Sequence, residues 1–443
     1  MEQAIDPKAR PGFVGRAMHA LASELYPICR SITGNGLRQT LDLVGKHIPL
    51  QRFEVPSGTE VFDWTVPREW NIRDAYIKDR SGRRVVDFRA CNLHVLNYST
   101  PVHRTMTLAE LREHLFTVPA HPTWIPYRTS YYKDAWGFCL SEAQLAGMAD
   151  DEYEVMIDSS LSGGSLSYGE CVLSGNGGSD DEVLISCHVC HPSLANDNLS
   201  GLSVAVFLAK HLLARERRYT YRFLFIPATI GAITWLAANR EQTSRIKHGI
   251  VLSCLGDAGA FHYKKSRRGA DVDRVVTHVL RTSGHAHEIR DFMPYGYDER
   301  QFCSPGFDLA VGCLSRSVWG EFPEYHTSAD NLDFVTPEAL EESLDVVTAV
   351  VAVLEANRHY VNTSPFGEPA LGRRGLYRSV GGSGVGDENL ARLWVLNQAD
   401  GNHSLLDIAE RADMPFTLIE RSARELVASG LLVDPADVRP DSA

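Results

Sequence analysis

VLISCHVCHPSLANDNLSGLSVAVFLAKHLLA, residues 183–214, decides how this chain is read. Its first four residues, Val183 to Ser186, form an apolar run of the kind that parallel sheets bury on both faces. A loop follows that carries Cys187, His188, Cys190, His191 and Asp197. Leu202, Val206, Leu208, Leu212 and Leu213 then recur at roughly helical spacing. Strand, ligand-bearing loop and helix in that order place the polar side chains at the carboxyl end of a strand, where open α/β sheets keep their sites. Neutral imidazoles plus a carboxylate suit Zn²⁺, although two histidines alone do not close a site. Histidines that cap a loop beside small buried cysteines are the plainer account. Further donors downstream weigh against it.

Working outward, 443 residues allow two or three domains with sizeable cores. The formal charge of −12 argues against general binding to nucleic acid or to anionic membranes. Nine scattered cysteines do not form a secreted disulfide framework. Residues 1–20 lack the order of a signal peptide, and no apolar run reaches spanning length. A reduced, cytoplasmic protein is expected.

Upstream, residues 12–48 read as helical, with stripes at Met18, Leu21, Leu25 and Tyr26, then at Leu37, Leu41, Leu43 and Val44. SITGNG at 31–36 breaks them with turn chemistry. From about 50 to 160 the pattern changes to short β-type runs with many aromatics, among them Trp64, Trp70, Trp124, Tyr127, Tyr131, Tyr132 and Trp136. This shift predicts a small β-rich domain inserted before the sheet. Its aromatics serve first as core, and a wall of the active-site cleft that limits substrate size is the functional reading.

Downstream, Tyr221–Pro227 and His248–Leu255 read as further buried strands, and Asp308–Leu314 as another. The second of these ends in Gly256-Asp257-Ala258-Gly259, which sets Asp257 at a strand end. The loop GEFPEYHTSADNLDFV, 320–335, then carries His326 beside Glu321, Glu324 and Asp330, ahead of an amphipathic helix over 337–357.

Taken together, ANDNLSG after HxCH, the strand-end Asp257 and YHTSADNLD resemble the co-catalytic zinc aminopeptidases related to bacterial leucyl aminopeptidase and glutamate carboxypeptidase. LYPICRSITG, VPSGTEVFDWTVPREWNIRDAYI, SCHVCHPSLANDNLSG, DERQFCSPG and PEYHTSADNLDF look more closely like bacterial aminopeptidase-like proteins found beside polysaccharide and secondary-metabolite genes. The resemblance covers nearly the whole chain. It implies a three-layer α/β/α sheet domain formed by residues 1–50 and 160–362, an inserted β-rich domain over 51–159 and a winged-helix-like domain over 375–436. It also implies one or two Zn²⁺ ions, with His188 and Asp257 on one, His326 on the other and Asp197 bridging them.

Two departures from that pattern matter. The aminopeptidases usually carry an aspartate two residues after the first histidine, where Cys190 stands here. They also carry a Glu-Glu pair after the second strand, one as general base and one as ligand, where this chain has Pro227-Ala228-Thr229. Loss of a positioned base removes about 10²–10⁴-fold of rate, while a metal still lowers the pKa of water toward about 7. His191 or Glu324 could supply the missing ligand, and Glu321 or Glu324 the missing base. A single metal at His188, Asp197 and Asp257 is equally consistent.

The C-terminal stretch follows a Gly-rich linker around 381–386 and reads as helix, turn, helix. From 375 to 443 it holds six arginines, no lysine and eleven carboxylates, a net charge of −5. A DNA reader needs a basic face, so a structural or docking role is expected, homo-oligomerisation among the options. Two functions stand: a zinc-dependent aminopeptidase-like hydrolase cleaving an amide bond of a small peptide or aminoacyl-amide substrate, in a biosynthetic setting, and a catalytically degraded relative that binds metal or ligand as a scaffold.

Overall fold

The structure, a computed structural model, describes residues 12–376 and 386–437. All of the Gly-rich linker except Gly386 lies outside the described residues. Two compact units form: residues up to 270 together with 288–345, and residues 271–287 together with those from 346 onward.

The first unit is built on an eight-stranded mixed sheet. In chain order its strands are β1 (Gln51–Pro56), β2 (Ser165–Leu173), β3 (Glu182–His188), β4 (Thr220–Ile226), β5 (Ile246–Leu252), β6 (Phe261–Lys264), β7 (His287–Arg290) and β8 (Val311–Ser315). They lie in the order β1-β2-β4-β3-β5-β8-β6-β7. β4, β3, β5 and β8 run parallel. β1, β2 and β6 pair antiparallel at the flanks.

Every residue of β3 is buried, on both parities of the pleat. Both faces of the sheet are therefore covered there, as the unbroken apolar run requires. The helix α3 (Gly201–Leu213) that follows is buried from Gly201 through Ala209 and packs on β3, β4 and β5. A helix apolar all round belongs inside a core. Fully burying each of its leucines and valines up to Leu212 stabilises the fold by about 1.5–3 kcal/mol. Helix α1 (Phe13–Leu25) packs on α3, and α2 (Asn35–Val44) on β2.

A second, four-stranded antiparallel sheet sits between β1 and β2 in the chain. Its strands are Arg84–Asp87, Glu69–Lys78, Glu152–Ser162 and Val102–Thr107, in that spatial order. It fills most of the 51–159 range expected for the inserted domain. Residues 51–56 are a correction, because β1 pairs with β2 from Gln51↔Glu170 to Pro56↔Ser165 and so belongs to the main sheet.

In the second unit, three helices (Asp387–Gln398, Leu405–Ala412 and Phe416–Ala428) accompany a three-stranded sheet of Asp400–Ser404, His359–Asn362 and Leu432–Val433. The central strand, 359–362, lies ahead of the boundary expected at 375 and inside the stretch assigned to the sheet domain. The boundary is corrected to that strand, since without it the two flanking strands have no partner. Among the described residues, no helix is long and apolar enough to cross a membrane.

Candidate metal centre

β3 delivers His188 to its carboxyl end, with the side chain 2% exposed. The chain then runs through 189–194 into an irregular turn, 195–200, where Asp197 and Asn198 depart from helical geometry. This turn is held from outside. The Asp330 carboxylate accepts the Asn196 N–H at 2.5 Å on one oxygen and the Asp197 N–H at 2.9 Å on the other. The Asp330 carbonyl takes the Ala195 N–H at 3.1 Å. Asn198 ties the other end, donating to the Leu252 carbonyl at 2.9 Å and accepting from the Gly201 and Cys254 N–H groups. A side chain at Gly201 would strike Asn198 Oδ1 and the Leu252 carbonyl, 2.4 and 2.5 Å from where its Cβ would stand. Glycine is what allows α3 to start there.

Held in this way, Asp197 is fully buried and meets two imidazoles. His188 Nε2 lies 2.7 Å from its Oδ1, and His326 Nε2 lies 3.0 Å from its Oδ2. His191 completes the group: one donor atom each from His188, His191 and Asp197 fall within 4.8 Å of one another. Two nitrogens and one carboxylate oxygen make a three-ligand zinc set with an open fourth position. The residues fit one such ion. For a second ion, His326 and the far oxygen of Asp197 are at hand, while Ala228 and Thr229 offer no ligand.

The electrostatics suit a cation. Burial pushes the Asp197 carboxyl up, but the surrounding histidines outweigh it and hold the group well below the usual carboxylate range. Burial draws His191 well below the ordinary histidine value, so it stays neutral and able to ligate. Burial also pulls His188 down, yet the charge and hydrogen bond of Asp197 reverse this and leave it raised. The Cys190 thiol, 3.5 Å from His191 Nδ1, is pushed well up by burial and remains protonated.

Aromatic rings wall the group. Tyr297 stacks on His188 at 5.1 Å, and Tyr325 on His326 at 3.9 Å. Tyr127, from the inserted region, stands 5.1 Å from both His191 and His326. Its segment is stitched to the histidine loop: Tyr127 N–H donates to the His326 carbonyl at 2.7 Å, and Ser328 N–H to the Ile125 carbonyl at 2.8 Å.

Of the residues singled out in the sequence, His188, His191, Asp197 and His326 come together. Asp257 does not, which corrects the expected ligand set. Its carboxylate accepts from Ser317 Oγ and the Gly259 N–H, both at 2.6 Å, and from Asn196 Nδ2 at 2.8 Å. It braces the turn through Asn196 instead of facing the histidines. Glu321 is also removed from the site. It is exposed and forms a two-pronged ion pair with Arg290 at 2.5 and 2.9 Å, which holds its carboxyl below the usual value. The Glu324 carboxylate, partly buried, has no hydrogen bond or ion pair tying it to the histidines. Reading the residues missed Asp330 as the clamp of the turn and Tyr297 as the ring on His188. The ADNLD and DERQFCSPG motifs flagged both neighbourhoods without showing their roles.

Comparison with known proteins places these features. A family described as a domain of unknown function (DUF4910) matches residues 19–357, and a winged helix-turn-helix family matches 358–434. A Clostridium acetobutylicum protein is 50% identical over 94% of this chain and 96% of its own length; its name proposes a polysaccharide biosynthesis protein with an aminopeptidase-like domain. A crystal structure from the same organism, whose name proposes a peptidase, superposes with a TM-score of 0.91 at 49% identity, covering 95% of this chain and 97% of that one. A zinc aminopeptidase from Bacillus subtilis shares the fold at a TM-score of 0.56 and 14% identity, over 77% of this chain and 95% of that one.

Proposed function

The chain belongs to the DUF4910 family, with an aminopeptidase-like fold and a C-terminal winged helix, and from that premise we propose that it is a single-zinc hydrolase cleaving an amide bond of a small peptide or aminoacyl substrate. The observation that carries this reading is the group of buried His188 and Asp197 with half-buried His191, and with His326 on the second oxygen of Asp197. When bound there, zinc supplies Lewis acidity toward a scissile carbonyl and makes water a better nucleophile at neutral pH. The chain's own part is to orient. Asp330 fixes the turn, His326 fixes the carboxylate plane, and partners of this outer kind are typically worth about 10–100-fold in metal affinity or activity. Tyr127, Tyr297 and Tyr325 limit the space beside the histidines, which favours a small substrate.

The name of the Clostridium acetobutylicum relative supports a biosynthetic setting for that cleavage. A binding role without turnover is the second reading, favoured by the absence of any carboxylate at Ala228 and Thr229. Protein purified without added zinc should contain about one zinc per chain. It should also cleave members of a panel of aminoacyl amides and dipeptides, in a manner abolished by chelation and restored by zinc. Bound zinc with no turnover across the panel would favour the binding role. No bound zinc and no turnover would overturn the metal reading.

A further inference from the structure

Adjacent strands β3 and β4 end side by side, with His188 opposite Ile226. After β4 the chain turns through Pro227 into helix α4 (Ala228–Ala238), whose first turn carries no carboxylate. Another segment comes to this place. The short helix α5 (Glu299–Phe302) packs on α4, and Arg300 Nη2 reaches Thr229 Oγ1 at 3.3 Å. The residues leading into α5 are Tyr297, whose ring lies on His188, and Asp298.

Asp298 is 1% exposed, and its Oδ2 has no hydrogen-bond partner among the described residues. Its backbone carbonyl accepts the Gln301 N–H at 2.9 Å, so the carbonyl is paired while the carboxylate Oδ2 is not. A buried carboxylate without a partner is costly, and native proteins keep one where a function requires it. The neighbouring Glu299 also has buried carboxylate oxygens without a hydrogen-bond partner among the described residues, but it is ion-paired with Lys264. Gly296, at a φ of 147°, lets this segment close up, since a Cβ there would fall 2.5 Å from Lys264 Nζ and 2.6 Å from Glu299 Oε1.

We infer that Asp298 supplies the carboxylate that positions 228–229 lack, and that it serves as the proton acceptor of the site. This rests on the hydrolase reading above. During cleavage a proton of the attacking water goes to Asp298 Oδ2 while the water oxygen bonds to the scissile carbonyl carbon. The same proton then passes to the leaving nitrogen as the C–N bond breaks, which balances amide and water against acid and amine. The surroundings favour this use. Burial raises the Asp298 carboxyl to about 7, with the His188 imidazole drawing it back down. The same carboxyl acts in turn on Cys187, His188 and Cys190, so its charge is felt along the metal loop. A base poised near working pH is efficient.

The test needs no known substrate. Acetohydroxamic acid gives up a proton when it binds zinc, and calorimetry in two buffers of different ionisation enthalpy counts where that proton goes. At pH 8, zinc-loaded wild type should retain the proton, and Asp298→Asn should release roughly one proton more per site. Asp298→Asn should still load with zinc, its affinity falling by no more than the about 10–100-fold expected of an outer partner. On any substrate found, Asp298→Asn should lower kcat at least about 100-fold with KM little changed. Equal proton counts in the two proteins, with zinc bound to both, would overturn this inference alone, as would loss of turnover in Glu324→Gln with none in Asp298→Asn. Failure of wild type to bind zinc would overturn the hydrolase reading and this inference with it, and the zinc content tells the two failures apart.

Discussion

Two neighbouring strand ends in one sheet have taken opposite courses. β3 ends in a loop that offers His188, His191 and Asp197 to one centre, while β4, paired to it through His188 and Ile226, ends in Pro227-Ala228-Thr229 and offers nothing. The difference lies in the backbone. The end of β3 enters an irregular turn whose first three N–H groups are taken up by Asp330, while Asn198 accepts the Gly201 N–H that follows it. The end of β4 goes almost at once into a helix. A ligand-bearing loop must have its backbone satisfied by third parties before it can commit its side chains. A helix start satisfies itself and carries whatever side chain chemistry asks of it, including none.

The strongest way to break this contrast is to disarm the β3 end. Asp197→Asn should reduce bound zinc from about one per chain to little or none, and turnover by at least roughly 10³-fold, since ligands acting as a unit fail as a unit. His191→Ala should lower zinc affinity by more than the 10–100-fold expected of an outer partner. Metal analysis after dialysis against a weak chelator reads both. Zinc retained at full affinity in His191→Ala would return the third position to another residue.

A middle-sized effect sharpens the same contrast by separating ligand from brace. Asp257→Ala strands the hydrogen-bond donors of Asn196, Ser317 and Gly259 in the interior. Chemical denaturation should show a loss of about 2–4 kcal/mol, with zinc content near that of wild type. Lost zinc at unchanged stability would put Asp257 back among the ligands. The smallest effect concerns the β4 end. Ala228 sits at a φ of 44°, in the left-handed region that glycine tolerates best. Ala228→Gly should therefore be neutral or stabilising by up to about 1 kcal/mol, with zinc binding untouched. A clear destabilisation would show that the alanine methyl has a packing role.

How much of this was legible beforehand follows from the kind of physics involved. His188, His191 and Asp197 could be found because strand ends in an open sheet gather ligands, and because a turn rich in Asn, Asp and Gly stands between strand and helix, whereas His326 came from the resemblance of its YHTSADNLD loop to the zinc aminopeptidases. Asp257 also stands just beyond a strand end, yet its position in the chain could not tell which way the carboxylate faces. Ser317, from beyond β8, decides that. Asp330 looked like one more loop acid, because its value lies in three backbone contacts to residues more than 130 positions earlier. The pairing of β1 with β2 spans more than 100 residues. Local composition could not distinguish it from the inserted sheet that begins at Glu69. Asp298 lay inside the DERQFCSPG motif, but only packing shows that it is buried with its Oδ2 lacking a partner among the described residues.

The main-chain hydrogen bonds joining 125–127 to 326–328 carry a mechanical meaning. Three links, from Tyr127 to His326, from Ser328 to Ile125 and from Ile125 to Ser328 Oγ, make the wall of the cleft and the histidine loop a single girder. At about 0.5–1.5 kcal/mol each, they tie any outward swing of the inserted segment to a pull on His326, and through it on Asp197. Drawing these segments apart would thus loosen the group on which the proposed chemistry depends. Replacing a ring such as Tyr127 therefore alters the space beside His191 and His326 while the main-chain links that hold the loop stay in place.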